Sequence, residues 1–117
     1  MRWIATALLF LLVCSEAAAE RYGSGNDILA SCRAFANGTP TSSADFPQGF
    51  CAGVVDTLLS AGPTMQSNLR FCPPEGVTTG QAIRVAVKYM ERYPERLHFA
   101  FMVIAMDAFR TVWPCKK

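Results

Sequence analysis

The sequence contains few of the residues and motifs that form catalytic or metal-binding sites. It contains one histidine, His98, and its cysteines lack the paired C-x-x-C spacing of a zinc site. It has no glycine-rich phosphate loop, and no nucleophile motif stands near the histidine. Asp56 and Asp107 lie in otherwise apolar stretches, where paired carboxylates could act as acid and base. However, Arg110 follows Asp107 by three residues, and we expect Asp56 to face solvent. We therefore predict that the protein is not an enzyme and uses no metal or cofactor.

The sequence has no large excess of either charge, and long apolar runs are also scarce. Lys and Arg number 11 against 9 Asp and Glu, and they are scattered along the chain without a basic stripe. This distribution argues against nucleic acid as a partner. Beyond the N-terminal segment, no apolar run reaches the roughly 18 residues that a membrane-spanning helix needs. We expect no membrane attachment once that segment is removed.

The N-terminus has the three parts of a secretory signal peptide. Basic Arg2 precedes a short apolar run, and a row of three alanines ending at Ala19 offers the small residues that signal peptidase requires. We predict that residues 1–19 are a signal peptide and that residues 20–117 form one domain, located in the periplasm or secreted. The alternative is a lipoprotein, because the residues up to Cys14 resemble a degenerate lipobox, in which valine replaces the usual small residue before the cysteine.

Four cysteines remain in the predicted mature domain: Cys32, Cys51, Cys72 and Cys115. An even number of cysteines in an exported chain favours two disulfides. By the chain-entropy estimate, each disulfide contributes about 3–4 kcal/mol. The sequence alone allows all three pairings, and of these we favour Cys51–Cys72 with Cys32–Cys115.

Hydrophobic periodicity and capping signals predict an all-α domain of four helices. Ser24 or Asn26 caps the first helix, Thr78 and Gln81 form a capping box before the third, and Pro94 suits the first position of the fourth. The predicted helices begin near Asn26, Asp45, Thr78 and Pro94, and the first three end near Ala36, Ala61 and Tyr93.

Two helices have features that allow two interpretations each, packing within this chain or contact with another segment or partner. Gly49 and Gly53 in the second helix would let another backbone approach closely, or they are merely tolerated there. Residues 99–106 of the fourth helix are all apolar, so this helix is either central in the core or shared with a partner. The third helix has an ordinary polar face, formed by Gln81, Arg84, Lys88 and Glu91.

Three segments rich in cysteine and proline carry the most specific pattern in the chain. They are residues 71–81 (Phe-Cys-Pro-Pro-Glu-Gly-Val-Thr-Thr-Gly-Gln), 93–98 (Tyr-Pro-Glu-Arg-Leu-His) and 113–115 (Trp-Pro-Cys), with a further match at 50–54. Together they resemble the Rap1a/Tai family of immunity proteins over nearly the whole predicted mature chain. The matching positions include Pro73, Gly76, Val77, Thr78, Gln81, Tyr89, Pro94 and His98.

The resemblance implies a periplasmic, all-helical protein that binds and sterically blocks a peptidoglycan amidase effector delivered by type VI secretion. It also implies a homodimer, since several members of the family are dimers. No effector-contacting residue carries over, and we expect the binding surface in what the motif leaves free, namely the 63–70 connection and the second apolar face of the fourth helix. The alternative function is a small periplasmic acid-stress chaperone, which would expose apolar surface when carboxylates are protonated.

Overall fold

The computed structural model describes residues 23–38 and 45–117, and this part of the chain is helical. The predicted signal peptide, its cleavage site and Cys14 lie outside the described residues. Two short 3-10 turns, Gly62–Thr64 and Pro94–Arg96, accompany four α-helices, and within the described ranges the only β-type pairing is one isolated bridge. The prediction of an all-α, four-helix domain is confirmed. The helices are α1 (Gly25–Ala36), α2 (Asp45–Ala61), α3 (Thr79–Arg92) and α4 (Phe101–Val112).

Local capping signals fix the ends of α1 and α3. The Ser24 hydroxyl accepts a hydrogen bond from the backbone N–H of Asp27 at 3.3 Å, and Gly38 just after α1 has a φ of 65°. The Thr78 hydroxyl accepts from the backbone N–H of Gln81 at 3.1 Å. Each cap satisfies a helix-end donor that would otherwise lack a partner, a contribution of about 1 kcal/mol. The caps predicted at Ser24 and at Thr78 are confirmed, and of the two candidates for α1 it is Ser24 that caps the helix.

The fourth helix begins later than the sequence predicts. Pro94–Arg96 form a separate 3-10 turn, and α4 starts only at Phe101. Ala100 is extended, with φ −57° and ψ 136°, which interrupts any continuous helix. The reason is a contact from outside the segment, because Gly25 at the start of α1 donates its N–H to the carbonyl of Phe99 at 3.1 Å.

The cysteines pair differently from the pairing predicted above. Cys32 bonds to Cys51 and Cys72 bonds to Cys115, with Cα atoms 5.6 and 4.9 Å apart. The predicted pairing is wrong because α1 packs directly on α2 and brings the first two cysteines together. The residues before α3 lie against the end of α4, where the N–H of Cys72 donates to the carbonyl of Trp113 at 2.8 Å.

Helix α3, rather than α4, is the central helix of the domain. Its packing against the other three helices is more extensive than that of α1, α2 or α4. Helix α4 buries one side and leaves Met102 and Val103 about half exposed on another. Its apolar run is therefore divided between core and open surface. No polar or charged residue of the described ranges is buried, and the core consists of Ile28, Cys32, Cys51, Val55, Leu58, Phe71, Ala82, Ile83, Ala86, Met90, Phe101, Ile104, Ala105, Ala108 and Phe109.

Candidate binding surfaces

Several of the residues that match the family pattern shape the backbone around α3. Gly76 adopts a φ of 88°, a conformation that favours glycine because it has no Cβ. Thr78 caps α3 by accepting from the N–H of Gln81, and Pro94 opens the 3-10 turn that follows the helix. These positions therefore serve the local fold.

The remaining matching residues differ in their surroundings. Pro73 and Val77 are half-buried, and Val77 packs against the core. His98 is exposed, and its ring centroid lies 4.2 Å from that of Phe99. Tyr89 is the matching position that lines a groove on the surface.

The two carboxylates considered for acid–base chemistry each have their own partners. Asp107 accepts a hydrogen bond from Arg96 and lies 3.6 Å from the Arg110 guanidinium. Asp56 is exposed and accepts from the Thr79 hydroxyl at 3.1 Å. Among residues 23–38 and 45–117, no group of three or more His, Cys, Asp or Glu side chains is placed to hold a metal ion. The binding surfaces, rather than these carboxylates, are the candidate functional features.

A groove of about 430 Å³ runs between α3 and α4. Side chains at 85, 88, 89 and 92 lie within two turns of α3, so the helix presents them on one side. We call it the tyrosine groove, and it is lined by Val85, Lys88, Tyr89, Arg92 and Tyr93 on one wall and by Thr111 and Val112 on the other.

Arginine side chains contact both tyrosines of this groove. Their ring centroids are 4.7 Å apart, the Arg92 guanidinium lies 5.8 Å from the Tyr93 ring, and Arg96 donates to the Tyr89 hydroxyl at 3.2 Å. Burial raises the pKa of Tyr89 above its ordinary value of 10.0, because partial removal from water disfavours the phenolate, and Arg96 opposes the change only in part. Tyr89 is therefore a fixed, neutral wall of the groove.

A second open surface lies between α2 and α4. It is an apolar groove of about 330 Å³, which we call the α2–α4 face, and Met102 at its edge is 52% exposed. Among the described residues, apart from the backbone of α2 itself, no atom lies within 4 Å of where a Cβ would stand on Gly49 or Gly53. No other described segment therefore brings its backbone close to either glycine. The face is lined by Phe50, Gly53, Val54, Thr57, Leu58 and Met102.

The connection between α2 and α3 also reaches the surface. Residues 66–70 are exposed, whereas Met65 is half-buried and packs against the core. The Arg70 side chain donates to the carbonyl of Met65 at 3.2 Å, which ties the loop to itself. The exposure of this loop leaves it available for contacts with another molecule.

The sequence prediction did not single out the tyrosine groove. From the sequence, Lys88 belongs to an ordinary polar face of the third helix, and nothing indicates a role for Arg92. The usable signal is a repeat, since Lys88-Tyr89 is followed one turn later by Arg92-Tyr93. Only the packing of α4 beside α3 turns this repeat into a groove.

Comparison with known proteins identifies the family. The model of the Rap1a immunity proteins matches residues 24–115, from the cap of α1 to the last disulfide cysteine. The chain belongs to this family. Comparison with curated proteins and with solved structures gives no match. Membership of the Rap1a family indicates an immunity protein for a secreted effector, a class that is generally non-enzymatic. Within the described ranges no helix has the length and apolar character needed to cross a membrane.

Proposed function

We propose that this chain is a periplasmic immunity protein that binds and sterically inhibits a peptidoglycan amidase effector of type VI secretion. The observation that carries the proposal is the extent of the family match, which spans the described domain from α1 to Cys115. The tyrosine groove and the α2–α4 face support it, because both are open surfaces built on packed helices. A protein that acts by covering an enzyme's cleft needs such surfaces and no catalytic groups of its own.

Disulfides suit the domain to this role. Cys32–Cys51 joins α1 to α2, and Cys72–Cys115 joins the segment before α3 to the end of α4. A surface that is already ordered before binding loses less conformational entropy when the complex forms. The oxidised protein should therefore bind more tightly than the reduced one.

The test mixes oxidised residues 20–117 with any peptidoglycan amidase that is encoded beside the gene. Calorimetry should show a complex, and hydrolysis of purified peptidoglycan should stop at equimolar protein. Reduced and alkylated protein is the control, and it should bind more weakly. Absence of a complex at about 100 μM protein, together with undiminished hydrolysis, would refute the proposal.

We also propose that a second copy of the chain covers the α2–α4 face. Gly49, Gly53 and Thr57 follow one another at one-turn spacing on α2, so a helix of the second copy has room for close approach. Covering Met102 would also remove an exposed apolar side chain from water.

Sedimentation of two glutamate variants tests the dimer. Gly53→Glu should give a folded monomer, since its Cβ meets no atom of the described residues within 4 Å. Gly80→Glu is the matched control, because its Cβ likewise meets no described atom within 4 Å and Gly80, on α3, does not line this face. A wild-type monomer at all concentrations, or equal effects of both variants, would contradict the dimer.

Export is proposed from the N-terminal sequence. Residues 1–22 fused to alkaline phosphatase should give an active enzyme, since this phosphatase acquires its disulfides only outside the cytoplasm. Changing Cys14 to serine should leave the product soluble in the periplasm. Loss of processing in that variant would instead indicate a lipoprotein.

No structural feature favours the chaperone alternative. The described part of the chain buries no charged or polar residue, so acidification has no buried carboxylate to neutralise. The acid-dependent exposure of apolar surface that such a chaperone needs is therefore not built into this core.

A further inference from the structure

We propose that the tyrosine groove is the effector-binding site, and that it takes an acidic segment of the effector protein. Carboxylates of that segment meet Lys88 and Arg92, and an apolar side chain beside them lies on Tyr89 and Tyr93. The identity of the partner rests on the proposed function, whereas the chemistry of the groove rests on its own residues.

The rim of the groove carries uncompensated positive charge. Lys88 and Arg92 are one turn apart on α3 and exposed, and neither has an ion-pair partner among the described residues. The neighbouring carboxylate, Glu91, is directed away, because it pairs with Arg33 of α1 at 2.6 Å. Of the residues that the structure describes, no carboxylate lines the groove. Two free cations on one wall are complementary to an acidic partner.

Two carboxylates outside the lining, Asp107 and Glu95, act electrostatically on Tyr89. Glu95 has no ion pair among the described residues, whereas Asp107 is neutralised by arginines. Asp107 on α4 accepts from Arg96 and also faces Arg110. Arg96 in turn donates to the Tyr89 hydroxyl, so this pair positions the ring without adding net charge to the groove. The attraction for acidic groups therefore comes from Lys88 and Arg92.

The walls below these cations are apolar and aromatic. Val112 is about half exposed although it is apolar, and Val85 lies on the opposite wall. Tyrosine and arginine are enriched among the residues that contribute most to protein interfaces. A volume of about 430 Å³ is enough for one or two side chains of a partner. An acidic segment that carries an aromatic residue fits both features.

A second cationic cavity offers the natural comparison. It holds Arg70, Arg110, Lys116 and Lys117 and lies beside the Cys72–Cys115 disulfide. It has four cations but no aromatic wall, so charge alone would favour it over the tyrosine groove. The two sites can therefore be separated by charge-matched substitutions.

The first experiment probes the groove without the effector. The peptide acetyl-Asp-Phe-Glu-amide is titrated into ¹⁵N-labelled protein, and its neutral analogue acetyl-Asn-Phe-Gln-amide is the control. Shifts should be confined to residues 85–93 and 108–112, and the neutral peptide should bind about tenfold more weakly. Shifts centred elsewhere, or equal affinity for both peptides, would overturn the proposal. Stronger binding of a soluble muropeptide at the same amides would assign the groove to cell-wall fragments instead.

The second experiment uses the neighbouring amidase and two double variants. K88E/R92E and K116E/K117E change the net charge equally, but only the first alters the groove. We expect the first to weaken binding at least about a hundredfold and the second less than about threefold. K88Q/R92Q serves as a milder version, and circular dichroism verifies the fold of each variant.

The outcomes separate the two proposals. If the wild type binds the amidase and K88E/R92E binds equally well, the groove assignment fails while the immunity function stands. If both double variants lose binding equally, long-range charge explains the effect and the groove assignment also fails. If the wild type does not bind the amidase, the proposed function fails, and the peptide titration alone decides the chemistry of the groove.

Discussion

Replacing both cysteines of one disulfide with alanine tests which cross-link stabilises the domain more. Cys72 and Cys115 are 43 residues apart in sequence, whereas Cys32 and Cys51 are 19 apart. In the chain-entropy account, the longer loop contributes about 4 kcal/mol and the shorter about 3.3 kcal/mol. Loop length alone therefore predicts that losing Cys72–Cys115 is slightly more damaging.

The different burial of the two disulfides reverses the order of stability loss that loop length predicts. Cys32 and Cys51 have no exposed surface, whereas Cys72 is exposed and Cys115 is half-exposed. Alanine at the buried pair also removes two sulfur atoms from the core, at about 1 kcal/mol each. The total cost becomes about 5 kcal/mol, against about 4 kcal/mol for the exposed pair. The end of α4 also keeps non-covalent support, because the Cys72 N–H still bonds to the carbonyl of Trp113.

Urea unfolding under non-reducing conditions measures both effects. Wild type, C32A/C51A and C72A/C115A are compared near neutral pH at room temperature. A domain of this size has about 5–15 kcal/mol of stability, so both variants should lose a large share of it, and C32A/C51A should unfold at lower urea than C72A/C115A by an amount that corresponds to about 1 kcal/mol. A larger loss in C72A/C115A would show that loop entropy dominates and that the packing argument is wrong.

Four single substitutions test local features of the fold. Gly53→Ala should stabilise the monomer by about 0.5–1 kcal/mol. Gly62→Ala should destabilise it by about 1–3 kcal/mol, because the new Cβ would lie 2.4 Å from the Phe71 ring. Thermal melts in which the two variants change stability alike would contradict this account. Thr78→Ala should cost about 1 kcal/mol by removing the cap of α3, and an unchanged melt would show that water replaces the hydroxyl. The pKa of Tyr89 is higher in the folded protein than its ordinary value of 10.0, so folding favours the neutral phenol. The stability that this preference contributes is complete below pH 10.0 and is lost as the pH rises through the folded pKa. Tyr89→Phe should therefore lose less stability than wild type on going from neutral to strongly alkaline pH, and parallel pH profiles would refute it.

The features that the sequence predicts correctly depend on neighbouring residues. The cap at Ser24 needs only the N–H of Asp27, and the cap at Thr78 needs only that of Gln81. The stop after α1 needs only a glycine that tolerates a positive φ, which Gly38 supplies. Such interactions span a few residues, so the order of side chains along the chain is enough to identify them.

The features that the sequence predicts wrongly depend on packing between distant segments. The disulfide pairing follows from α1 lying against α2, and the late start of α4 follows from the bond between Gly25 and Phe99. Pro94 marks a helix start in isolation, but that bond and the extended Ala100 make it the start of a 3-10 turn. The tyrosine groove escapes prediction for the same reason, since one of its walls, formed by Thr111 and Val112, comes from another helix.

The two proposed interfaces lie on different sides of α4. Met102 borders the α2–α4 face and Thr111 borders the tyrosine groove. They are nine residues apart on one helix, about two and a half turns at 3.6 residues per turn, so their side chains leave the axis in opposite directions. A second copy on the α2–α4 face would therefore leave the groove of each copy open. A symmetric dimer should bind two effector molecules, and Gly53→Glu should abolish the dimer without changing the affinity of each groove.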